Sequence, residues 1–238
     1  MDFTKNNKYF KPASKLFLAG VPVVAVGAIL AATLPRELSV IGILIAAVGV
    51  IFAIAMLTGG MKDDDIDGAV ASKMNTIEAD ASVCFKFPRR YEVLHKGIIL
   101  GGYDFTRESS TPAKRGKDLK YRTEYYCGLL MNFTNDGLRI LSRKFSILKD
   151  DCVEENLHFA WEDVLSARLD EQEVTLKMVD GKDCALKAEI LKIEIKGGKT
   201  LEYCVRNTAD VDDVIDIIYR QSVRVKQEAL KARAEENN

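Results

Sequence analysis

The chain has 238 residues, of which 47% are hydrophobic, and its 34 basic side chains nearly balance its 35 acidic ones. This balance excludes binding of nucleic acid through bulk positive charge. The five cysteines are odd in number, widely spaced and without a CxxC pair. This pattern argues against a disulfide framework and a zinc site, and it agrees with a reducing cytosol.

Residues 1–15 form a short basic arm, predicted to be cytosolic, with four lysines and the aromatic residues Tyr9 and Phe10. Two apolar runs follow, at 16–34 and 38–60, and the only charged residues between Lys15 and Lys62 are Arg36 and Glu37. At about 1.5 Å per helical residue, each run is long enough for a hydrocarbon core of about 30 Å. The sequence therefore predicts a membrane protein in which residues 16–60 form an α-helical transmembrane hairpin.

Two alternatives to this hairpin are a pair of buried core helices and a cleaved signal peptide. A core helix normally keeps a polar face, which neither run has. The first run is also longer than the apolar segment of a signal peptide, and a second run follows at once. The lysines before the first run predict a multi-pass protein of the cell (plasma) membrane with cytoplasmic N- and C-termini.

Small residues recur one helical turn apart within both runs. Such residues let helices approach closely. They either pack the hairpin against itself or form a second face for a homo-oligomer or another membrane protein. The residues are Gly27, Ala31, Gly42, Ala46, Gly49 and Ala53.

The pattern of residues 61–80 predicts an amphipathic linker helix. Three aspartates, 63–65, suit a helix N-terminus, and Ile66, Val70, Met74 and Ile77 share one face. Three adjacent carboxylates do not converge on one ion, so we predict no metal site.

Residues 81–206 have the character of an antiparallel β domain. Asn135-Asp136-Gly137, Asp180-Gly181 and Gly197-Gly198 are typical of hairpin turns. Seven to nine strands with little helix between them favour a barrel or sandwich. The runs that read as strands are 83–87, 91–105 (two strands), 121–135, the run after Gly137, and the meander 171–205.

Residues 207–238 predict a C-terminal helix with a polar tail. Asn207 or Thr208 is expected to cap it. The apolar face expected to pack on the β domain consists of Val211, Val214, Ile215, Ile218 and Val225.

The order of a β domain and a closing helix resembles the pleckstrin-homology-like (PH-like) superfold, and more closely the bacterial PH-like and GRAM-like domains, which often follow transmembrane spans. The matching segments are 133–141 and 157–171, including Trp161, Asp163 and Val164. The resemblance implies an α+β fold in which a long C-terminal helix caps a β-rich PH-like barrel or sandwich. It implies no single function, because that superfold serves lipid binding, peptide binding and scaffolding. Trp161 itself is expected to be a core aromatic residue.

One loop is unusually basic, and in PH domains a basic loop between early strands meets lipid headgroups. The alternatives are an anionic-lipid or partner-binding site and a solvated loop. Its cations are Arg107, Lys114, Arg115, Lys117, Lys120 and Arg122.

No catalytic constellation is present. The segment 197–200, GGKT, lacks the upstream glycine and the following helix of a phosphate-binding loop. We therefore predict a membrane-anchored, non-catalytic interaction or scaffold module, with an anionic-lipid sensor as the alternative. We predict no cofactor and no nucleic-acid partner, and the partners expected are membrane lipids and an unidentified protein.

Overall fold

The computed structural model describes residues 1–11, 19–35, 38–58, 61–85, 93–108, 111–206 and 208–236, with the backbone alone at 55–58, 232 and 236. It divides the chain into two compact units, Asp2–Ile66 and Asp67–Asn238. Arg36 and Glu37, which connect the two runs of the predicted hairpin, and Asn207, one of the two predicted caps, lie outside the described residues.

The first unit consists of α1 (Phe3–Tyr9), α2 (Gly20–Thr33), α3 (Ser39–Thr58) and the start of α4 (Asp63–Met74). Asp2 caps α1 by accepting a hydrogen bond from the Lys5 backbone N–H at 3.0 Å. The Tyr9 hydroxyl donates to Asp63 at 2.7 Å. The glycines of α2 and α3 lie against the opposite helix, so the two helices pack with their backbones in close approach.

The transmembrane prediction is wrong for the part of the chain that the structure describes. No helix within it has both the length and the apolarity needed to cross a membrane. The 14 residues of α2 measure about 21 Å, which falls short of a hydrocarbon core of about 30 Å. The fold class "membrane protein" and the multi-pass plasma-membrane location are wrong with it.

The second unit is an α+β fold built on antiparallel sheets, as predicted for this part of the chain. The first sheet has the order β1-β4-β5-β6, the second β7-β8-β9, and β2 pairs with β3 in a small ribbon. The strands are β1 (Val93–Tyr103), β2 (Lys114–Arg115), β3 (Tyr121–Arg122), β4 (Tyr125–Thr134), β5 (Gly137–Ser146), β6 (Cys152–Ala160), β7 (Val164–Lys177), β8 (Asp183–Ile195) and β9 (Lys199–Cys204).

The predicted hairpin turns are confirmed. Residues 135–136 connect β4 to β5, and residues 178–182 connect β7 to β8. Between β8 and β9, Gly197 and Gly198 have φ angles of +89° and +82°. Positive φ angles are strained for residues with a side chain, and glycine adopts them without strain.

The main core lies between the two sheets and under α6 (Ala209–Glu236). Trp161 is a core residue, as predicted: it is 4% exposed, stacks on Phe133, and donates from Nε1 to the Thr134 carbonyl at 2.7 Å. The predicted apolar face of α6 is also confirmed, because Val211 and Val214 are buried in this core.

A smaller core covers the other face of the first sheet. Here α5 (Ile77–Phe85) packs against Leu130 and Leu141. The segment 61–80 therefore contains one helix and the start of a second, rather than a single helix. The prediction of a strand at 83–87 is wrong at 83–85, which continue α5, and residues 86–87 lie outside the described part. Within the predicted segment 91–105, the described residues Val93–Tyr103 form one irregular strand, β1, rather than two, and residues 91–92 lie outside the described part.

Candidate functional site

Of the six basic residues predicted as a binding site, Arg122 occupies the most enclosed position. Its side chain is 1% exposed and forms paired hydrogen bonds with Asp67, at 2.9 and 2.7 Å, and with Asp118, at 2.9 and 2.8 Å. Burial of Asp67 acts to raise its pKa, but hydrogen bonds from Arg122 and Tyr103 outweigh burial and leave the pKa below its usual range. Arg122 therefore joins the β2–β3 ribbon to α4.

The other predicted cations also have partners within the unit. Arg107 lies 3.3 Å from Asp151 and 3.8 Å above the Tyr125 ring. Lys120 lies 3.7 Å from Asp118.

Arg115 donates to the Leu119 carbonyl at 3.4 Å and lies 5.5 Å from the Tyr121 ring centre. Lys114 and Lys117 take part in further interactions. The positive charge of this loop is thus largely matched within the second unit.

The small residues of the predicted hairpin come together between α2 and α3. A Cβ atom on Gly27 would overlap the backbone of Ala46 and lie 2.8 Å from the Gly42 carbonyl oxygen. A Cβ on Gly42 would in turn overlap the backbone of Ala31. Further along, Gly49 lies beside α2, and Ala53 contacts the position of Gly20. These contacts fix the close approach of the two helices.

A groove of about 450 Å³ opens between the basic loop and the far half of β7. Phe105, Arg107 and Glu108 line one side, and Val174 and Leu176 line the other. Its lining is mixed, with apolar, hydroxyl and charged groups. A groove of this size and composition accepts a few side chains of a polypeptide. The complete lining consists of Phe105, Thr106, Arg107, Glu108, Thr111, Ala113, Thr123, Gln172, Val174, Thr175, Leu176 and Lys177.

β7 borders this groove with an open edge. Among the described strands, β7 pairs along its length only with β8. At the C-terminal end of β7, another part of the same chain already forms backbone hydrogen bonds to this edge. The Ala113 backbone N–H donates to the Lys177 carbonyl at 2.8 Å, and the Val179 N–H donates to the Ala113 carbonyl at 3.0 Å. Ala113 and Met178 form an isolated parallel bridge.

The register identifies which backbone groups face this open edge. The Met178 N–H donates to Lys182, so the even-numbered residues of β7 are the ones hydrogen-bonded to β8. The odd-numbered residues, among them Glu171, Glu173 and Thr175, direct their N–H and C=O groups away from β8. The Lys177 carbonyl, already bonded to Ala113, belongs to the same set.

The sequence predicted strands in this region but neither the open edge nor the groove. Two observations that define the site, the bridge at Ala113 and the burial of Arg122, join residues 55 or more positions apart. The one local feature that marks the open edge is the length of β7, which has 14 residues against 6 in β9.

Metal-ligating side chains do not cluster within the described part of the chain. His158 lies 3.2 Å from Asp136, and His95 packs edge-on against Phe133.

Comparison of the chain with protein-family models, curated proteins and solved structures found no match.

Proposed function

We propose that the chain is a non-catalytic interaction module that binds an extended segment of a partner protein along the open edge of β7. The observation that carries this proposal is the bridge at Ala113. A single residue already makes the two backbone hydrogen bonds that an added strand would make, at 2.8 and 3.0 Å. The edge therefore accepts a strand in the geometry that the protein itself uses.

Strand addition supplies affinity through the backbone and specificity through neighbouring pockets. Each added hydrogen bond contributes about 0.5–1.5 kcal/mol net, so a segment that pairs with residues 171–175 gains from several of them. The groove beside Val174 and Leu176 would take side chains of the added segment. Arg107 and Glu108, on its other side, offer one charge of each sign.

The order of elements supports placing the second unit among PH-like domains. A four-stranded antiparallel sheet is followed by a three-stranded one and then by a single long helix. Peptide binding is one of the functions found in the PH-like superfold, so this fold is compatible with the proposed role. The fold alone does not identify the function.

Partner binding is favoured over the alternative of anionic-lipid sensing. A headgroup site needs cations that are available to the ligand. Arg122 is buried between two carboxylates, and Arg107 and Lys120 lie beside Asp151 and Asp118. The contacts of this loop hold the domain together.

Selection from a displayed library of random peptides against the full chain tests the proposal. Backbone amide exchange then maps where the selected peptides bind. We expect slower exchange at Glu171, Glu173 and Thr175, whose N–H groups face the open edge. The amides of Gln172 and Val174 should change little, because they already bond to β8. Selected peptides that protect a different surface would contradict the assignment.

A matched pair of variants separates backbone pairing from side-chain contact. Thr175→Pro removes an edge-facing N–H and leaves the β7–β8 hydrogen bonds in place, whereas Thr175→Ala removes only the side chain. We expect Thr175→Pro to weaken peptide binding about tenfold or more and Thr175→Ala to retain most of it. Unchanged exchange at β8 amides would show that the fold survives. Equal binding by both variants would refute strand addition.

A further inference from the structure

The helix α6 extends well beyond the core that it covers. Its 28 residues measure about 42 Å. The first half is anchored by buried Val211, Val214 and Ile218. From Lys226 onward, every described side chain of α6 is exposed.

A second stripe runs along α6 on a different side from the buried one. Its residues follow one another at alternating intervals of four and three, which places them on one face of a helix. Tyr219 and Leu230 are each 66% exposed, and Val223 is half-buried between them. The stripe consists of Asp212, Asp216, Tyr219, Val223, Lys226, Leu230 and Arg233.

The charges on this stripe are separated along the helix. Its N-terminal end is acidic, with Asp212 and Asp216, its middle is apolar, and its C-terminal half carries Lys226 and Arg233. A helix with this order complements a second copy of itself in the reverse direction. The acidic end then faces the basic end, whereas a parallel arrangement would place like charges together.

We propose that α6 pairs with α6 of a second copy of this chain, antiparallel, with the two-fold axis near Val223. Tyr219 and Val223 of the two copies then form the apolar centre of the contact. Alternating intervals of four and three are the spacing of the contact face in paired helices, and here the apolar positions of that face lie toward its middle. This inference is independent of the proposed peptide-binding edge, because it uses neither β7 nor the groove.

Spin labels on the full chain test both the pairing and its direction. The three accessible or partly accessible cysteines, Cys84, Cys152 and Cys184, are first replaced by serine. Labels at Gln227→Cys, near the axis, should lie within about 25 Å of each other, and labels at Glu235→Cys about 35–40 Å apart. The absence of a dipolar interaction at either position, or equal short distances at both, would overturn the proposal.

Variants of the stripe supply a second readout, the dissociation constant of the dimer. Tyr219→Glu should raise it about tenfold or more, while Lys231→Gln, off the stripe, should leave it unchanged. Asp212→Lys alone should weaken the pair, and the added exchange Arg233→Asp should restore it, because these two positions face each other across an axis near Val223 and would again carry opposite charges. A dimer that is indifferent to all of these changes would refute the role of α6.

Discussion

At the scale of single residues, buried arginines join the helices to the sheet. The Arg143 side chain is 4% exposed, yet it pairs with Asp80 of α5 and Glu154 of β6 and donates to the Lys73 carbonyl at 2.7 Å. Replacing Arg143 by methionine keeps its bulk but leaves these acceptors without their donor. We expect the free energy of unfolding to fall by about 2–3 kcal/mol in a urea titration.

The control for this change is Arg168→Met. Arg168 also bridges two carboxylates, Asp170 and Glu194, but its side chain is half exposed. Water replaces the lost partners there, so the free energy of unfolding should stay nearly unchanged. Equal losses for the two variants would show that enclosure of Arg143 adds nothing.

The carboxylates around Arg122 make stability depend on pH. The pKa of Asp118 lies well below its usual range, chiefly because of hydrogen bonds from Arg122. The pKa of Asp67 is lowered too, since its hydrogen bonds from Arg122 and Tyr103 outweigh burial. A carboxyl group whose folded pKa is depressed stabilises the fold fully above its unfolded pKa of about 3.9, and this contribution is lost as the pH falls below that value.

Asp67→Asn removes one part of this dependence. The variant should be less stable than the wild type at pH 7, and the difference should shrink as the pH falls below about 4. Urea titrations between pH 7 and pH 3 measure it. Asp213→Asn, on the exposed side of α6, is the control for loss of one negative charge. A difference between Asp67→Asn and wild type that stays constant with pH would contradict the mechanism.

At the scale of elements, the packing of α2 on α3 depends on Gly27. A Cβ atom there meets the backbone of Ala46, which is unable to move aside as a side chain would. Gly27→Ala should therefore separate the two helices and speed amide exchange in both. Gly68→Ala, in α4, is the control, because a Cβ there has no atom within 4 Å. Exchange in α2 and α3 that is equally slow in both variants would refute this packing argument.

The elements also show how far the sequence predicts this fold. Turn chemistry at Gly197-Gly198 and the apolar face of α6 are local signals, and both were predicted correctly. The strand predicted at 83–87 is wrong at 83–85 because a short alternating run also fits a helix whose face, Ile77 to Phe85, packs on the sheet. Burial of Arg122 was not predictable, since its partner Asp67 lies 55 residues away.

At the scale of the whole molecule, the two apolar runs show why composition alone misled. Their glycines pack helix against helix, as the small-residue spacing allows. Larger side chains such as Val21, Ile29 and Leu44 are more than half exposed. An apolar helix is typical of a membrane span, but a span needs length and apolarity together, and no helix in the described part of the chain has both.

The division into two compact units predicts that the second unit folds by itself. Trp161 is the only tryptophan of the chain and is buried in the main core of that unit, so its fluorescence reports on that unit alone.

The fragment 61–238 keeps α4 whole and omits α1 to α3. Its urea transition by tryptophan fluorescence should match that of the full chain, because the contacts of the main core lie within Asp67–Asn238. Far-ultraviolet circular dichroism of the full chain, which also detects α2 and α3, provides the control and should include signal that the fragment lacks. A fragment whose tryptophan transition shifts to lower urea would show that the second unit depends on the first for its stability.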